Sequence, residues 1–392
     1  MSCCFGALSL ECPRMWRGWI IFGSVVSLGA TWAQAQEAPM GADALSASTT
    51  LSGYVSTSYH GGSGSGKYPY ALSHENRSSF TLDVVGLSFR QPLDEWLWDT
   101  GFRVDLWLGP QASDLGTSAT ANDTAVLRQA YFDFRIPLGD PRFSGTAQSV
   151  DVRVGAFDSP IGFESSDRVH NAHYTHSWGY TIEPTVHTGL LAMYPGVDAL
   201  ENGESDFLLS LGVANAVDAQ INGAPTNEDR KTFLSGLTWL LPELFGALGG
   251  TALSVGYVNG RERTGSTPVQ NLYLAAGFPL PNEAWDLAVT YDARMLNGAG
   301  NDDSVMGAHL SYTANERAAW HLRGEWFREG AKLFSSESAA EQGDGYGITA
   351  TLEYQLWTNT ISRAEWRWDH TEVRVNGRHN DQSWRLNLIY QF

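Results

Sequence analysis

The constraint that dominates this chain is a two-residue period, repeated in segments of about ten residues along most of its length. In the last segment Trp384, Leu386, Leu388, Tyr390 and Phe392 occupy one phase, and Arg385, Asn387 and Gln391 the other. Just upstream, Ala364, Trp366 and Trp368 oppose Arg363, Glu365, Arg367 and Asp369. Before that, Ile348, Ala350, Leu352, Tyr354 and Leu356 oppose Thr349, Thr351, Glu353 and Gln355. The same alternation sets Trp320, Leu322 and Trp326 against His321, Arg323 and Glu325, and Phe102, Val104, Leu106 and Leu108 against Arg103, Asp105 and Trp107. Successive side chains of a strand point to opposite faces. Each segment is therefore read as a strand with one apolar and one strongly polar face.

Such strands suit either a soluble sandwich or a barrel whose apolar face meets lipid. Two features favour the barrel. The apolar faces end in aromatics (Trp384 and Phe392, Trp285 and Tyr291, Trp320 and Trp326), as where rings sit at two membrane interfaces. The segments also match the roughly 9–11 residues that a tilted strand needs to cross a bilayer, rather than the usual five or six. Sixteen segments are placed near 51–59, 78–90, 98–109, 125–137, 149–157, 187–194, 206–213, 231–241, 251–258, 269–278, 284–294, 304–313, 318–328, 345–357, 360–369 and 382–392. The phase is poorest in 51–59, 78–90 and 187–194. The connectors alternate: QPLDEW, FPLPNEA, TANER and the turn around Asn359 are tight, whereas His60–Arg77, Pro110–Thr124, Asp158–Val186, Ala214–Arg230 and Glu329–Asp344 are long and polar. Short periplasmic turns and long extracellular loops follow, with both termini periplasmic. The expectation is an all-β, transmembrane, antiparallel up-and-down β-barrel of about 16 strands, a single domain over 51–392.

Composition agrees. The chain of 392 residues holds 15 Trp, 15 Tyr, 17 Phe and 41 Gly but only 17% charged residues, against roughly 25% in a soluble domain. A mean hydropathy of −0.23 argues against a helical membrane protein. The net charge of −18 leaves no basic face for phosphates, so nucleic acid is not an expected partner. The stretch Thr232–Asn259 carries only Glu243 as a charge, yet Pro242, Gly246, Gly249 and Gly250 interrupt it, and Phe233, Leu237, Trp239 and Leu241 keep the two-residue period. Two strands joined at LPELFGALGG explain it better than a membrane helix.

The start of the chain is a leader. Arg17 precedes an uncharged run of 13 residues, Gly18–Ala30, followed by Ala33-Gln34-Ala35. This is the order of a secretory signal, and the run is too short to span a bilayer as a helix. Residues 1–35 are expected to be removed during Sec-type export, leaving a short periplasmic segment at 36–50; Met15 is an alternative start to Met1. Cys3, Cys4 and Cys12 all fall in the leader, so the barrel is expected to fold without disulfides or a Cys-based metal site.

The terminal Ser-Trp-Arg-Leu-Asn-Leu-Ile-Tyr-Gln-Phe (383–392) resembles the last strand of Gram-negative barrel proteins, whose final residue, here Phe392, the barrel-assembly machinery reads as its signal. More narrowly, Val154-Gly155-Ala156-Phe157-Asp158-Ser159-Pro160-Ile161-Gly162-Phe163-Glu164, then Asn171, then Glu183-Pro184-Thr185-Val186-His187-Thr188-Gly189, resembles the OmpL-like β-barrel porin family. That family runs strand, Pro-x-Gly turn, long loop, then a His-Thr-Gly lead into the next strand. The resemblance implies an outer-membrane pore for small hydrophilic solutes or ions. It implies no catalytic residue and no cofactor, and as partners it implies outer-membrane lipid, lipopolysaccharide, the assembly machinery and two further copies of the chain.

A pore's chemistry resides in the residues that line it. Candidate lining positions pair bases with acids: Arg103 with Asp105, Arg135 with Asp133, Arg153 with Asp151, Arg323 with Glu325, Arg363 and Arg367 with Glu365 and Asp369, and Arg385. These either set a transverse field that orients polar solutes or simply stabilise a water-filled interior. The longest connector, Asp158–Val186, is the candidate constriction. Folded inward from its Pro160-Ile161-Gly162 turn, it would set Asp158, Glu164, Asp167, Arg168, His170 and His173 against the wall; the alternative is packing on the rim or at an oligomer interface. His170, His173 and His176, with His187 beyond and Glu164 or Glu183 nearby, have an i, i+3, i+6 spacing that suits no single strand face, so no metal is assigned. The Gly-rich run at 61–66 lacks a following Lys-Ser/Thr and reads as an outer loop rather than a phosphate cradle.

A barrel enzyme of the lipase or protease type is the main alternative, with a closed structural or adhesin barrel beside it. No G-x-S-x-G elbow is present, and no spacing singles out His60, His74 or His379. The acidic loops (Asp218, Glu228 and Asp229; Glu337, Glu341 and Asp344) could bridge to lipopolysaccharide through divalent cations, but are read as solvated. Arginines crowd the expected lumen despite the negative net charge, which points to anion preference.

Overall fold

The computed structural model describes residues 49–62, 78–93, 98–118, 123–138, 149–197, 205–223, 230–263, 268–296, 302–328, 343–373 and 377–392. The expected signal segment at 1–35 and all but the last two residues of 36–50 lie outside these, as do His74, Glu228, Asp229, Glu337, Glu341 and residues 63–66 of the Gly-rich run.

Alternating strands with one apolar face need a partner on each edge, and sixteen of them supply it by closing on themselves. In chain order they are β1 (Thr50–Gly62), β2 (Ser79–Gln91), β3 (Asp99–Leu108), β4 (Ala125–Pro137), β5 (Ser149–Asp158), β6 (Val186–Val197), β7 (Ser205–Ala214) and β8 (Thr232–Leu240). Then follow β9 (Ala252–Arg261), β10 (Pro268–Pro279), β11 (Trp285–Leu296), β12 (Asp303–Asn315), β13 (Ala318–Arg328), β14 (Gly343–Trp357), β15 (Thr360–Val373) and β16 (Gly377–Gln391). Each pairs antiparallel with its sequence neighbours, and β1 pairs with β16 to close the barrel. At that seam Tyr54 lies opposite Gln391, and Gly53 and Phe392 exchange backbone hydrogen bonds of 2.9 Å. No sheet edge is left unpaired, as a strand structure in lipid requires.

The two phases of the sequence become the two faces of the wall. Trp384, Leu386, Leu388 and Tyr390 are exposed on the outside, while Arg385 and Asn387 are buried within. Strands β8 and β9 account for the uncharged stretch, joined by a 3-10 turn at Glu243–Leu248. Strands β15 and β16 run further than hydropathy indicates: their ladder continues from Asp369 opposite Asp381 to Val373 opposite Gly377. Most of these end residues are polar, and backbone pairing persists past the last apolar–polar alternation.

Two bulges interrupt the alternation, the first of them within the poorly phased 51–59 and 78–90. Between β1 and β2 the register shifts so that Asp83 is skipped, and between β3 and β4 Arg128 is skipped. Each extra residue turns a charge that alternation would aim at lipid into the lumen; Asp83 and Arg128 are 0% and 1% exposed. The inner wall is itself divided. Strands β6–β10 present Leu191, Met193, Leu234, Val258 and Tyr273 inward, packed into one apolar cluster with Phe157 and Ile161, and among the described side chains their inner faces carry no charge. Strands β11–β16 and β1–β5 carry the acids and arginines.

Gly155 in β5 has φ +137°, and a Cβ there would collide with the Ala130 carbonyl and Tyr131 Cα. Gly155→Ala adds a strained backbone worth about 1–3 kcal/mol to a clash with a neighbouring strand that cannot yield. The variant is expected to lower the temperature at which the folded, fast-migrating gel band converts to the unfolded one. An unchanged transition would contradict this reading.

Candidate functional site

Between β5 and β6 the segment from Ser159 to Thr185 lies inside the barrel. Its two ends are tied by a hydrogen bond from the Ser159 N–H to the Thr185 carbonyl (2.9 Å). Pro160 and Ile161 sit over Gly236 and Gly256 of the uncharged arc, where a Cβ would occupy their space. Gly162 has φ +122°, and a Cβ there would meet the Glu183 carboxyl at 2.6 Å; glycine alone serves this turn. Beyond it come a 3-10 turn at Arg168–His170 and one short helix, α1 (Trp178–Ile182). Ser177 caps α1 by accepting from the Tyr180 N–H (3.0 Å), Asn271 donates to the Ile182 carbonyl (2.9 Å), and Trp178 stacks on Phe327 at 4.1 Å.

The charged arc holds the loop largely by its backbone. Arg363 donates to the carbonyls of Arg168 (2.8 Å) and Val169 (3.2 Å). Arg323 donates to Thr175 (3.0 Å) and His176 (3.2 Å), and Arg367 also donates to the His176 carbonyl (2.7 Å). The acids take the N–H groups: Glu365 accepts from Tyr174 (2.7 Å) and Thr175 (3.2 Å), and Glu325 from Trp178 (2.6 Å). Side chains add to this. Glu164 pairs with Arg323 at 2.6 Å, Asp369 accepts from the Trp178 indole (2.9 Å) and pairs with Arg367, and the Tyr174 hydroxyl donates to Asp83 (3.0 Å). Tyr54 donates a short hydrogen bond to Asp167. Charge-assisted bonds of this kind are the strong ones, and nearly every partner is shielded from water.

The structure divides the sequence-derived candidates. Arg323, Glu325, Arg363, Glu365, Arg367 and Arg385 are at most 5% exposed and lie beneath the loop or beside it, Arg385 facing the Tyr174 ring at 5.9 Å. On β3–β5 the wall is partly hydrated: the side chains of Arg103, Arg135, Asp151 and Asp133 are 30%, 20%, 16% and 15% exposed, whereas Asp105 and Arg153 are buried. The ion pairs there run across strands, Arg135 with Asp151 (2.8 Å) and Arg153 with Asp133 (2.8 Å), rather than within one strand as the sequence pairing has it; Arg103 with Asp105 (3.0 Å) does stay within one. Asp158 binds Arg128 at 2.7 Å, and Arg128 also binds Asp105 at 2.9 Å. Arg128 and Asp83 are the members that alternation misses. Each is a charge standing in the lipid-facing phase, which is the readable sign of a bulge.

The loop histidines point apart. His170 is exposed, His173 is buried 2.8 Å from the Thr351 hydroxyl, and His176 is buried against the Tyr180 ring. Among the described residues no cluster of acids and histidines has metal-ligand spacing. Burial, with Arg323 beside His173 and Arg168 beside His176, holds both imidazoles well below their usual pKa and therefore neutral.

A closed barrel that is apolar outside and charged within defines the class of bacterial outer-membrane β-barrels. The chain matches, over residues 48–392, the profile of the family described as "Putative beta-barrel porin-2, OmpL-like", and it belongs to that family. It is an outer-membrane porin. No curated protein matches its sequence. Solved structures of similar fold include Salmonella typhi OmpF in complex with daunomycin (TM-score 0.57, 10% identity, covering 88% of this chain and 97% of that one). The anion-selective porin from Comamonas acidovorans (0.55, 11%, 88% and 99%) and the trimer form of the Vibrio cholerae outer-membrane protein OmpT (0.54, 12%, 88% and 99%) are also similar.

Two outcomes follow. Arg323→Met leaves Glu164 buried without its cation and Glu325 with only Arg367 at 3.9 Å, a loss of about 3–5 kcal/mol for a broken buried pair; the loop should release, giving larger or noisier single-channel currents. A neutral buried histidine favours the docked loop only while the released loop is also neutral. Docking is therefore fully stable above about pH 6.5, the ordinary imidazole value, and weakens as pH falls below it. The double variant His173→Gln, His176→Gln should remove that acid-dependent increase in current noise, and its persistence would assign the effect to the carboxylates.

Proposed function

We propose that this porin is a passive-diffusion channel for small hydrophilic solutes, with the loop at 158–186 as its constriction. The observation that carries the reading is the contrast in hydration around one wall: the arginines of β13 and β15 are dry under the loop, whereas Arg103 and Arg135 opposite keep contact with water. A solute path along β3–β5 would pass those cations and their acid partners. Catalysis finds less support. The Ser–His contacts, His187 with Ser159 (3.2 Å) and His321 with Ser311 (2.8 Å), lack an orienting carboxylate: the other nitrogen of His187 faces the Ala216 carbonyl at 3.3 Å, and that of His321 has no protein partner. A triad needs that third group.

The same reading has the precursor exported through a Sec-type signal cut after Ala35, and assembled by machinery that recognises the strand ending in Phe392. Lipid and lipopolysaccharide surround the barrel, and three copies associate; the OmpT structure named above is described as a trimer. The partly hydrated cations of β3 and β4, Arg103 and Arg135, support a preference for anions.

Purified protein in planar bilayers should give stable ion channels with no hydrolysis of lipid or peptide substrates. Reversal potentials under a salt gradient should show anion preference, reduced by Arg103→Ser. Cation preference in the parent protein would overturn the selectivity, and a folded barrel that never conducts would overturn diffusion itself.

A further inference from the structure

The inward loop leaves the wall between β5 and β6, and two other long connectors meet over it at the mouth of the barrel. The 3-10 turn Pro110–Leu115 follows β3, and residues 215–222 follow β7. Where they meet, the Ile221 N–H donates to the Thr117 carbonyl (2.9 Å), and a Cβ on Gly116 would lie 4.0 Å from the Ala219 Cβ. Strands β3 and β7 flank the β5–β6 gap. The contact therefore closes a ring: the wall from β3 to β7 is one half, the two connectors are the other, and the neck of the inward loop passes through it. Leu115 and Ala219 of the connectors and Thr181 of the loop line one cavity of about 410 Å³, which places the bridge over the loop rather than beside it.

Each half of the bridge is anchored by burial, and each anchor holds a different part of the loop. Ala112 and Leu115 share a buried apolar cluster with Trp107, Val126 and Val169, the last from the 3-10 turn of the loop. Val217 lies in the other apolar cluster, with Phe157 and with Ile161 of the Pro160-Ile161-Gly162 turn. Backbone bonds fasten the root of 215–222 to the wall. The Asn215 N–H donates to the Thr188 carbonyl (2.9 Å), the Val217 N–H to the Arg261 carbonyl (3.0 Å), and the Arg263 N–H makes a short hydrogen bond to Asp218. His187 stands between this root and the loop neck, its ring nitrogens 3.3 Å from the Ala216 carbonyl and 3.2 Å from the Ser159 hydroxyl.

The two sets of restraints act in different directions. The arginine grip draws the loop toward β13–β15, whereas the bridge lies across its way out through the mouth. Val169 and Ile161 cannot leave their clusters without exposing the apolar surface that Leu115 and Val217 share with them. Each half of the bridge is well anchored to its own strand ends, but the joint between the halves rests, among the described residues, on one backbone hydrogen bond. Such a joint opens before its anchors do.

We infer that residues 110–117 and 215–222 form a latch across the mouth, which holds the constriction loop down and sets how readily the channel widens. The inference deepens the channel reading and, as to conductance, rests on it.

The test uses the full mature protein, with trypsin as the probe. Cleavage after Arg168 needs the Arg168 carbonyl freed from Arg363, so it reads release of the loop whether or not the barrel conducts. Leu115→Ser, checked for folding by its gel shift, should speed that cut at least about tenfold, because the loss of a buried anchor raises the open population that trypsin samples. Single-channel currents of the same variant should be larger or noisier.

A second arm closes the latch. Gly116→Cys with Ala219→Cys sets two Cβ atoms 4.0 Å apart, within disulfide range. The natural cysteines, Cys3, Cys4 and Cys12, all precede residue 36. The pair should oxidise in the folded protein. In the Arg323→Met background the oxidised form should be cut after Arg168 at least about tenfold more slowly than the reduced form, which carries the same strained residue at 116 (φ +67°) and serves as its control. Failure of the folded pair to oxidise would overturn the bridge. Equal cutting of the oxidised and reduced forms overturns the latch, as does a parent-like rate in Leu115→Ser. The expected cutting pattern in a barrel that never conducts would overturn diffusion and leave the latch standing.

Discussion

Backbone hydrogen bonding in a medium without water is the constraint on which everything else in this protein depends. Lipid cannot satisfy an N–H or a carbonyl, so sixteen strands must give each other every bond and the first must meet the last. Closure then fixes which side chains meet lipid and which face inward. It also encloses more space than the wall side chains fill, and that space receives a chain segment of its own.

The inward loop restates the same constraint on a smaller scale. A buried segment with one five-residue helix has few internal partners for its peptide groups, which is why loops ordinarily stay on the surface. Here the wall supplies them. Arg323, Arg363 and Arg367 provide donors and Glu325 and Glu365 provide acceptors, at the positions where the loop would otherwise leave carbonyls and N–H groups unpaired. Buried ion pairs alone are weak evidence of stability. These charges also complete a backbone, and that separates them from a wall of mutually neutralising pairs.

How far the sequence is legible follows from the range of the interaction that each feature reports. Strand positions are local, and alternation such as Trp384 to Phe392 exposes them. The ends of β15 and β16 are not visible, because beyond the lipid no hydropathic difference marks the continuing ladder. Asp83 and Arg128 are hidden by the bulges that reverse their phase. The partners of the loop are hidden for a different reason: Arg363 meets peptide carbonyls nearly two hundred positions away, and a carbonyl has no residue type to read. The Pro160-Ile161-Gly162 turn is legible, but the Gly236 and Gly256 surface that receives it is not, since glycine in a strand reads only as a missing side chain.

Because the loop is gripped so extensively through its main chain, much of its attachment is indifferent to its side chains. Residues that do not take part in the grip, such as the exposed His170, can be exchanged without removing the bonds to the Arg168, Val169, Thr175 and His176 carbonyls. A lineage could thus retune what its pore admits by drift within this one segment, while the barrel that carries it stays the same.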